Sequence, residues 1–404
     1  MFQKQKKAFR AYCMERKYLY RMFILWFRRR TNRSMRSARR EKGIDNNMVL
    51  FSSYKMESFN DNPYYICEAL HKMRPETELV WLFRSIERAR TKFDIPDYVR
   101  LVEWDTPEAL EAMGRAKVLV DNWRKNDFLR FGRQQVYLFS PHHDRSFKHG
   151  LFSCKDPNRL YSHVIESHAH AATIGSGFNR KFLRKAYHFK GKFIEAGLPR
   201  NDILVRNDPA DEARIRAKLG IDPETGVLLY APTFRDADLE GAGAQKVGLD
   251  LEHVLDVLEE TTGKRWVCLF RAHYFSPGLD IAGPSERRMD VTDYPEMAEL
   301  LRIADALISD YSCCAGDFAL RGKPVWLYIA DIDDYAARSR KLYVDPLDTP
   351  YRCARTPEEL DAFIRLTTPE NARDNCRAVL DFYDTHETGR AAEAAAKYIC
   401  EQLG

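Results

Sequence analysis

Residues 306–318 read Ala306-Leu307-Ile308-Ser309-Asp310-Tyr311-Ser312-Cys313-Cys314-Ala315-Gly316-Asp317-Phe318. An apolar triplet runs into a polar turn, and the turn runs into a stretch with helical spacing. This is the strand–turn–helix unit of a parallel α/β sheet. The start of such a helix offers free backbone N–H groups and a positive dipole end, which suit an anion. Ser312 is placed either as a plain helix cap or as a hydroxyl donor to phosphate. Around this stretch lie further apolar strand candidates at 227–230, 266–270 and 324–328, with helix candidates at 249–261 and 295–303. The first half repeats the texture, with strand candidates at 48–51, 79–83, 118–120 and 136–139 and helix candidates at 62–72 and 106–115. The last of these opens on Thr106-Pro107-Glu108, a cap, a first-turn proline and an acidic residue. Alternation of this kind predicts two doubly wound, Rossmann-like domains facing a cleft, with ligand at the carboxyl ends of the strands. The expected division is a basic arm at 1–44, one domain at 45–190, and a second at 191–404 that ends in helices.

Composition agrees with a globular reading. Of 404 residues, 45% are hydrophobic and 30% charged, which excludes a disordered or collagen-like chain. Nine cysteines form an odd number with no CxxC spacing, so no disulfide framework is expected. The net charge of +5 is unevenly spread: residues 1–42 hold 15 Lys/Arg against Glu15 and Glu41, or +13, which leaves −8 on the rest. Within the arm, Met22-Phe23-Ile24-Leu25-Trp26-Phe27 runs into Arg28-Arg29-Arg30. The run falls short of the ~20 residues that span a bilayer and lacks a small-residue cleavage site. Aromatic and basic residues interleaved on a helix suit an anionic membrane surface. The same pattern also fits a helix packed on the body. Nucleic-acid binding finds no supporting motif in the rest of the chain.

Four polar clusters at strand ends mark the second half: the Ser312 turn, Phe270-Arg271-Ala272-His273, Tyr230-Ala231-Pro232-Thr233-Phe234-Arg235, and Gly197-Leu198-Pro199-Arg200-Asn201-Asp202. Arg271 and His273, two apart on an extended segment, point to one side and suit an oxyanion; a solvated strand end is the plainer reading. Four such clusters together argue for one phosphate-rich ligand. In the first half, Pro141-His142-His143-Asp144-Arg145-Ser146-Phe147-Lys148-His149 holds three histidines, but no carboxylate or cysteine at a convincing ligand spacing. A histidine general base is better motivated than a metal. Cys313 and Cys314 read either as a reactive pair or as inert packing. No GxGxxG fingerprint is present, Gly175-Ser176-Gly177 being the nearest approach, which argues against a dinucleotide cofactor.

In this order the pieces resemble the CDP-glycerol glycerophosphotransferase family of teichoic-acid primases and polymerases. The likeness runs over about residues 48–390: Phe51-Ser52-Ser53, Asp61-Asn62-Pro63-Tyr64-Tyr65, the G-x-PRND turn at 197–202, the YAPTFR segment at 230–235, Arg271-Ala272-His273, Asp293-Tyr294 through Leu301, Asp310-Tyr311-Ser312, Asp317-Phe318 and Lys323-Pro324. The resemblance implies a GT-B fold. It also implies transfer of glycerol phosphate from CDP-glycerol or a related CDP-polyol to a lipid-linked or polymer acceptor, at the cytoplasmic face of a membrane. It names Arg200, Pro232, Thr233, Arg271, His273, Ser312, Cys313 and Asp317 as donor-site residues, with Cys313 standing where the family usually has Ser. The family's W-H-G-T-P-L-K falls on His142 to Lys148, which puts its catalytic base at His143 and makes His142 and Lys148 possible substrate contacts. Asp144 and Arg145 stand where the family has Gly and Thr. No cofactor is implied. The alternatives are a GT-B glycosyltransferase with a nucleotide-sugar donor, and an inactive nucleotide-binding homologue.

Overall fold

The computed structural model describes residues 17–123, 129–147, 169–233, 249–272, 285–335 and 342–404. Among these, thirteen strands form two sheets in which every pairing is parallel. The first contains β1 (Asp45–Ser52), β2 (Glu78–Phe83), β3 (Val99–Glu103), β4 (Ala116–Asp121), β5 (Val136–Phe139), β6 (Ala171–Thr173) and β7 (Lys192–Ile194), in the order β3-β2-β1-β4-β5-β6-β7. The second contains β8 (Gly226–Ala231), β9 (Trp266–Phe270), β10 (Arg288–Asp290), β11 (Ala306–Ser309), β12 (Val325–Tyr328) and β13 (Arg352–Ala354), in the order β10-β9-β8-β11-β12-β13. Both orders reverse direction once, between β1 and β4 and between β8 and β11. At such a switch point the loops diverge and leave a crevice. The central strands are buried on both faces, which is why they read as unbroken apolar runs.

Helices form where the sequence caps them. Thr106 Oγ1 accepts from Ala109 N at 3.2 Å and opens Pro107–Arg115. Asp250 opens Leu251–Thr262, which Gly263 ends in the left-handed region. The helix after β11 is shorter than its spacing suggested. Cys314–Phe318 is only five residues long and passes directly into the 3₁₀ turn Ala319–Arg321.

The expected domain boundary at residue 190 differs from the structure in two ways. Residues 192–194 are the last strand of the first sheet. The final helix, Ala391–Leu403, also returns to the first half, where Ala395, Ala396, Ile399 and Leu403 share a core with Ile66, Cys67 and Leu70 of the helix Asp61–Met73. Its small alanine face lets the two helices approach closely, a contact that a linear reading of the chain cannot show.

The arm divides in two. Helix Lys17–Lys42 packs its last turns on the body: Met35 and Thr31 are fully buried, Met35 lies against Gly114, and Arg30 and Lys42 pair with Asp105 and Glu111, each at 2.8 Å. A side chain at position 114 would meet the Met35 carbonyl oxygen at 2.6 Å, so this approach requires glycine. Met22, Leu25 and Trp26 remain more than half exposed. No described helix is long and apolar enough to cross a membrane. Deleting residues 1–26 should therefore leave the melting temperature within about 2 °C of the parent. Deleting 1–42 removes a fully buried methionine and should cost about 2–5 kcal/mol in chemical denaturation. Equal stability of the two truncations would mean that the contact is not part of the fold.

Candidate active site

The chain segments leaving the carboxyl ends of the two sheets meet through a buried network of charges. Its centre is Asp317. One Asp317 oxygen accepts from Arg145 Nη2 at 2.7 Å and from Asn201 Nδ2 at 3.0 Å; the other accepts from Arg200 Nη2 at 2.8 Å and Nε at 3.2 Å. Burial alone would raise the Asp317 pKa, but Arg200 and Arg145 hold it below the usual carboxylate range. Arg200 Nη1 also donates to the His142 carbonyl at 2.8 Å and to Asp61 at 3.3 Å. Arg145 Nη2 also donates to Glu387 at 2.8 Å. Glu387 arrives from the segment before the last helix and accepts from Leu198 N at 2.9 Å. Arg145 has φ 45° and is wholly buried. It fits because residue 316 is glycine: a Cβ there would stand 2.6 Å from that of Arg145. Its neighbour Asp144 accepts from Gly175 N at 2.8 Å, Asn179 Nδ2 at 3.2 Å and the Ser176 hydroxyl.

Asp61 and Asn62 start the helix Asp61–Met73 and serve the same junction. Asn62 donates to Pro141 O at 2.9 Å and accepts from Arg200 N at 3.0 Å. Asp61 N donates to Glu296 Oε2 at 2.8 Å, and Asn60 Nδ2 to Pro295 O at 2.6 Å, so the first half touches the second again here. Burial, and then the charge of Asp61, push the Glu296 carboxyl up to about 7.

On the second-half side, Asp310 accepts from Thr233 N at 2.9 Å and from Tyr311 N at 2.6 Å, while Ser309 Oγ donates to Ala231 O at 2.7 Å. Asp310 thus staples the Pro232–Thr233 turn to the end of β11. Ser312 Oγ accepts from Cys314 N at 3.3 Å, a local contact one residue ahead of the helix N-cap at Cys313. Cys313 lies with Sγ 3.8 Å from the His142 carbonyl, and burial pushes its thiol up to about 12, so it is neutral at physiological pH. Arg271 leaves the end of β9 with no carboxylate in salt-bridge range among the described residues. Its Nη1 is buried and has no hydrogen-bond partner there. Burial lowers its pKa, as expected for a cation held out of water without a counterion.

The two histidines separate. His142 Nδ1 lies 2.9 Å from Asn122 O; a carbonyl can only accept, so Nδ1 carries the proton and Nε2 presents its lone pair. Its ring stacks on Trp123 at 4.6 Å and lies 5.4 Å from Tyr54. Burial, and then His143, push its pKa down to about 3. His143, expected as the base, stacks instead on Tyr187 at 6.2 Å, edge-on to Phe182, with Nε2 3.5 Å from Tyr187 OH. Phe182 and Tyr187 belong to the core of the first domain. His273 and Lys148 lie outside the described residues. Of the sequence-derived set, the structure brings together Arg200, Asp317, Cys313, Ser312, His142 and His143. It places Arg200 and Asp317 in the ion network rather than in the open crevice. Asp61, Glu296, Arg145 and Glu387 carried no local signal beyond a helix start, a cap and two substituted or solitary charges. No group of three or more metal-ligating side chains is poised around a vacant centre among the described residues.

Arg200→Ala should lower stability by about 3–5 kcal/mol, because it leaves Asp317 and Asp61 buried beside too little positive charge. An unchanged denaturation midpoint would instead place Arg200 in the crevice as a ligand contact.

Comparison with known proteins gives this geometry its context. The solved wall teichoic acid polymerase TagF superposes with a TM-score of 0.80 at 23% identity, covering 93% of this chain and 94% of that one, and shares the GT-B-like fold. A teichoic acid poly(glycerol phosphate) polymerase of Bacillus spizizenii is 26% identical over 88% of this chain and 92% of its own length. Its namesake in Staphylococcus epidermidis is 25% identical over 90% of this chain, which spans only 52% of that relative. A Staphylococcus aureus teichoic acid glycerol-phosphate transferase is 27% identical over 74% of this chain and 78% of its own. The profile that matches residues 34–401, nearly the whole described body, is that of the CDP-glycerol:poly(glycerophosphate) glycerophosphotransferases, and the chain belongs to that family.

Proposed function

We propose that the protein transfers a glycerol-phosphate or related polyol-phosphate unit from CDP-glycerol to a hydroxyl of a lipid-linked or polymer acceptor, releasing CMP. The observation that carries the reading is Arg271: a largely buried guanidinium at the carboxyl end of β9, beside the switch point, whose Nη1 has no partner among the described residues, calls for an anion, and a nucleoside diphosphate ester supplies one. His142 is the better-placed base. Its Nε2 accepts the proton of the acceptor hydroxyl while the hydroxyl oxygen attacks the phosphorus bearing the polyol. The bond from that phosphorus to the bridging oxygen breaks, and CMP leaves with the electron pair. Burial and the neighbouring His143 depress the His142 pKa; a bound anion acts in the opposite sense and strengthens the base once donor is present. Arg271 stabilises the charge that develops on the phosphates.

The exposed Met22, Leu25 and Trp26, set among arginines, support attachment to an anionic membrane surface on its cytoplasmic side. Full-length protein should sediment with anionic vesicles and be partly released by high salt, whereas the 1–26 truncation should stay in the supernatant. Equal sedimentation of the two would remove the arm from the anchoring role.

The deciding assay incubates purified protein with CDP-glycerol, CDP-ribitol or a nucleotide sugar and measures release of CMP or nucleoside diphosphate. With the preferred CDP-polyol, Arg271→Ala should cut transfer at least ~100-fold with folding little changed. His142→Ala should abolish turnover and His143→Ala should retain much of it. The reverse result for the two histidines would return the base to His143. Turnover of the nucleotide sugar alone would replace the reaction with glycosyl transfer.

A further inference from the structure

Glu296 stands where the two halves touch. It caps the helix Met297–Ile303 and is almost wholly buried. One oxygen serves the second half, accepting from Ala298 N at 3.1 Å; the other accepts from Asp61 N at 2.8 Å, across the junction. Asp61 takes a φ of 60°, a left-handed conformation that an L-residue holds only where its surroundings impose it. They do so here: the Asp61 N–H turns to Glu296, while its carboxylate accepts from Tyr54 OH at 2.6 Å and from Arg200 at 3.3 Å. An acid of the first half is thus held beside an acid of the second. Asp61 has Arg200 as its counterion, whereas Glu296 has no salt bridge among the described residues. Arg271 is the cation whose field favours the Glu296 charge, and the effect is mutual, yet no salt bridge joins them. The other ionisable groups around Glu296 are already settled. Tyr64 and Tyr65 on the facing helix and Tyr294 before the cap are held neutral, chiefly by burial. Glu299, one turn along, is paired with Arg214 at 2.8 Å.

We propose that Glu296 is a positioning residue that acts on the donor through Arg271: an anion arriving at Arg271 drives a proton from solvent onto Glu296, which removes its repulsion with Asp61 and tightens the contact between the two halves once donor is bound. This rests on the donor site proposed above. In the empty protein Arg271 and Glu296 partly answer each other's charge. A diphosphate ester takes over Arg271 and adds negative charge in the same neighbourhood, and both changes favour the neutral carboxyl. Burial and Asp61 already bring that carboxyl up to about 7, so a modest further push protonates it at neutral pH. The junction survives the change, because a neutral carboxyl still accepts from the Asp61 N–H. What is lost is the charge that opposed Asp61. Asp61 is tied through Arg200 to the His142 carbonyl, so the setting of the proposed base and the loading of donor share one chain of contacts.

The test is calorimetric titration of CDP-glycerol into the full-length protein, without acceptor, in two phosphate-free buffers that differ in heat of ionisation. The difference in observed heat counts the protons taken up. The parent should take up about half a proton per donor at pH 7 and almost none near pH 5.5, where Glu296 is already protonated. Affinity should fall about 5-fold from pH 7 to pH 8, because the proton becomes harder to supply. Glu296→Gln, which keeps the shape and removes the charge, should bind at least as tightly at pH 8, with no uptake and no slope. Arg271→Ala should lose binding and uptake together. CDP-glycerol binding by the parent with no uptake at pH 7 would overturn the proposal and leave the donor site standing, and so would equal uptake by the parent and Glu296→Gln. A nucleotide sugar that binds with this uptake where CDP-glycerol does not bind would keep the coupling and remove CDP-glycerol as donor. Binding of neither would remove both.

Discussion

Asp317, gripped from one side by Arg145 and from the other by Arg200, is the contact on which the rest of the site depends. Arg145 leaves the first sheet after β5, Asp317 stands in the helix after β11, and Arg200 lies in the connection between the sheets. Taking these charges out of water costs several kcal/mol per ion, which their mutual attraction offsets only when the geometry is complete. Such a network adds little to net stability, but it makes any displaced arrangement of the two sheets expensive, because displacement strands a buried charge. What it fixes is therefore orientation. The His142 carbonyl is one of the acceptors of Arg200, so the position of the proposed base follows from the same lock.

The network also explains where the two histidines sit. Where the family resemblance has Gly and Thr, this chain has Asp144 and Arg145, an acid and a base in place of two small neutral residues. Asp144 is drawn under the start of the helix Gly177–Ala186, where it accepts from Gly175, Ser176 and Asn179. Arg145 is drawn the other way, into the second half. Phe147 follows it into the second-domain core, where it packs on Tyr351. A segment pulled so deeply carries His143 onto Tyr187 and Phe182 and leaves its neighbour at the crevice. Local spacing carries no trace of that pull, because it depends on partners 30 to more than 240 residues away.

Much of the fold was legible because central parallel strands must be apolar on both faces, and eight of them announced themselves that way. Those that escaped are the outer strands β3, β7, β10 and β13 and the three-residue β6. Strands such as Arg288-Met289-Asp290 and Arg352-Cys353-Ala354 have one open side and need few apolar residues. The Asp310-Tyr311-Ser312 turn was visible as a strand end, but the part that Asp310 plays in it was not. Asp310 holds the Thr233 backbone, while Ser312 accepts from Cys314 N at the start of a helix too short to carry much of a dipole. Glu387 and the return of the last helix were beyond reach, since each is defined by a partner far off in sequence.

Three arginines are buried or nearly so around the cleft, and their pairing separates their roles. Arg145 faces Asp317 and Glu387, and Arg200 faces Asp317, Asp61 and a carbonyl; each has its demand for negative charge met within the protein. An anion entering the cleft could engage either only by displacing a carboxylate already desolvated beside it, at the cost of leaving that carboxylate unpaired. Arg271 carries no such debt. Its Nη1 has no partner among the described residues, and the acid whose charge acts on it most, Glu296, sits at a pKa of about 7 and so supplies only about half a charge at neutral pH. A diphosphate ester entering there, with one negative charge on each phosphate, neutralises a cation that has no counterion among the described residues and breaks no pair seen there. On the proposed reading, the same residue type at similar depth serves structure where its charge is answered and binding where it is not, and neither hydropathy nor motif spacing carries that distinction.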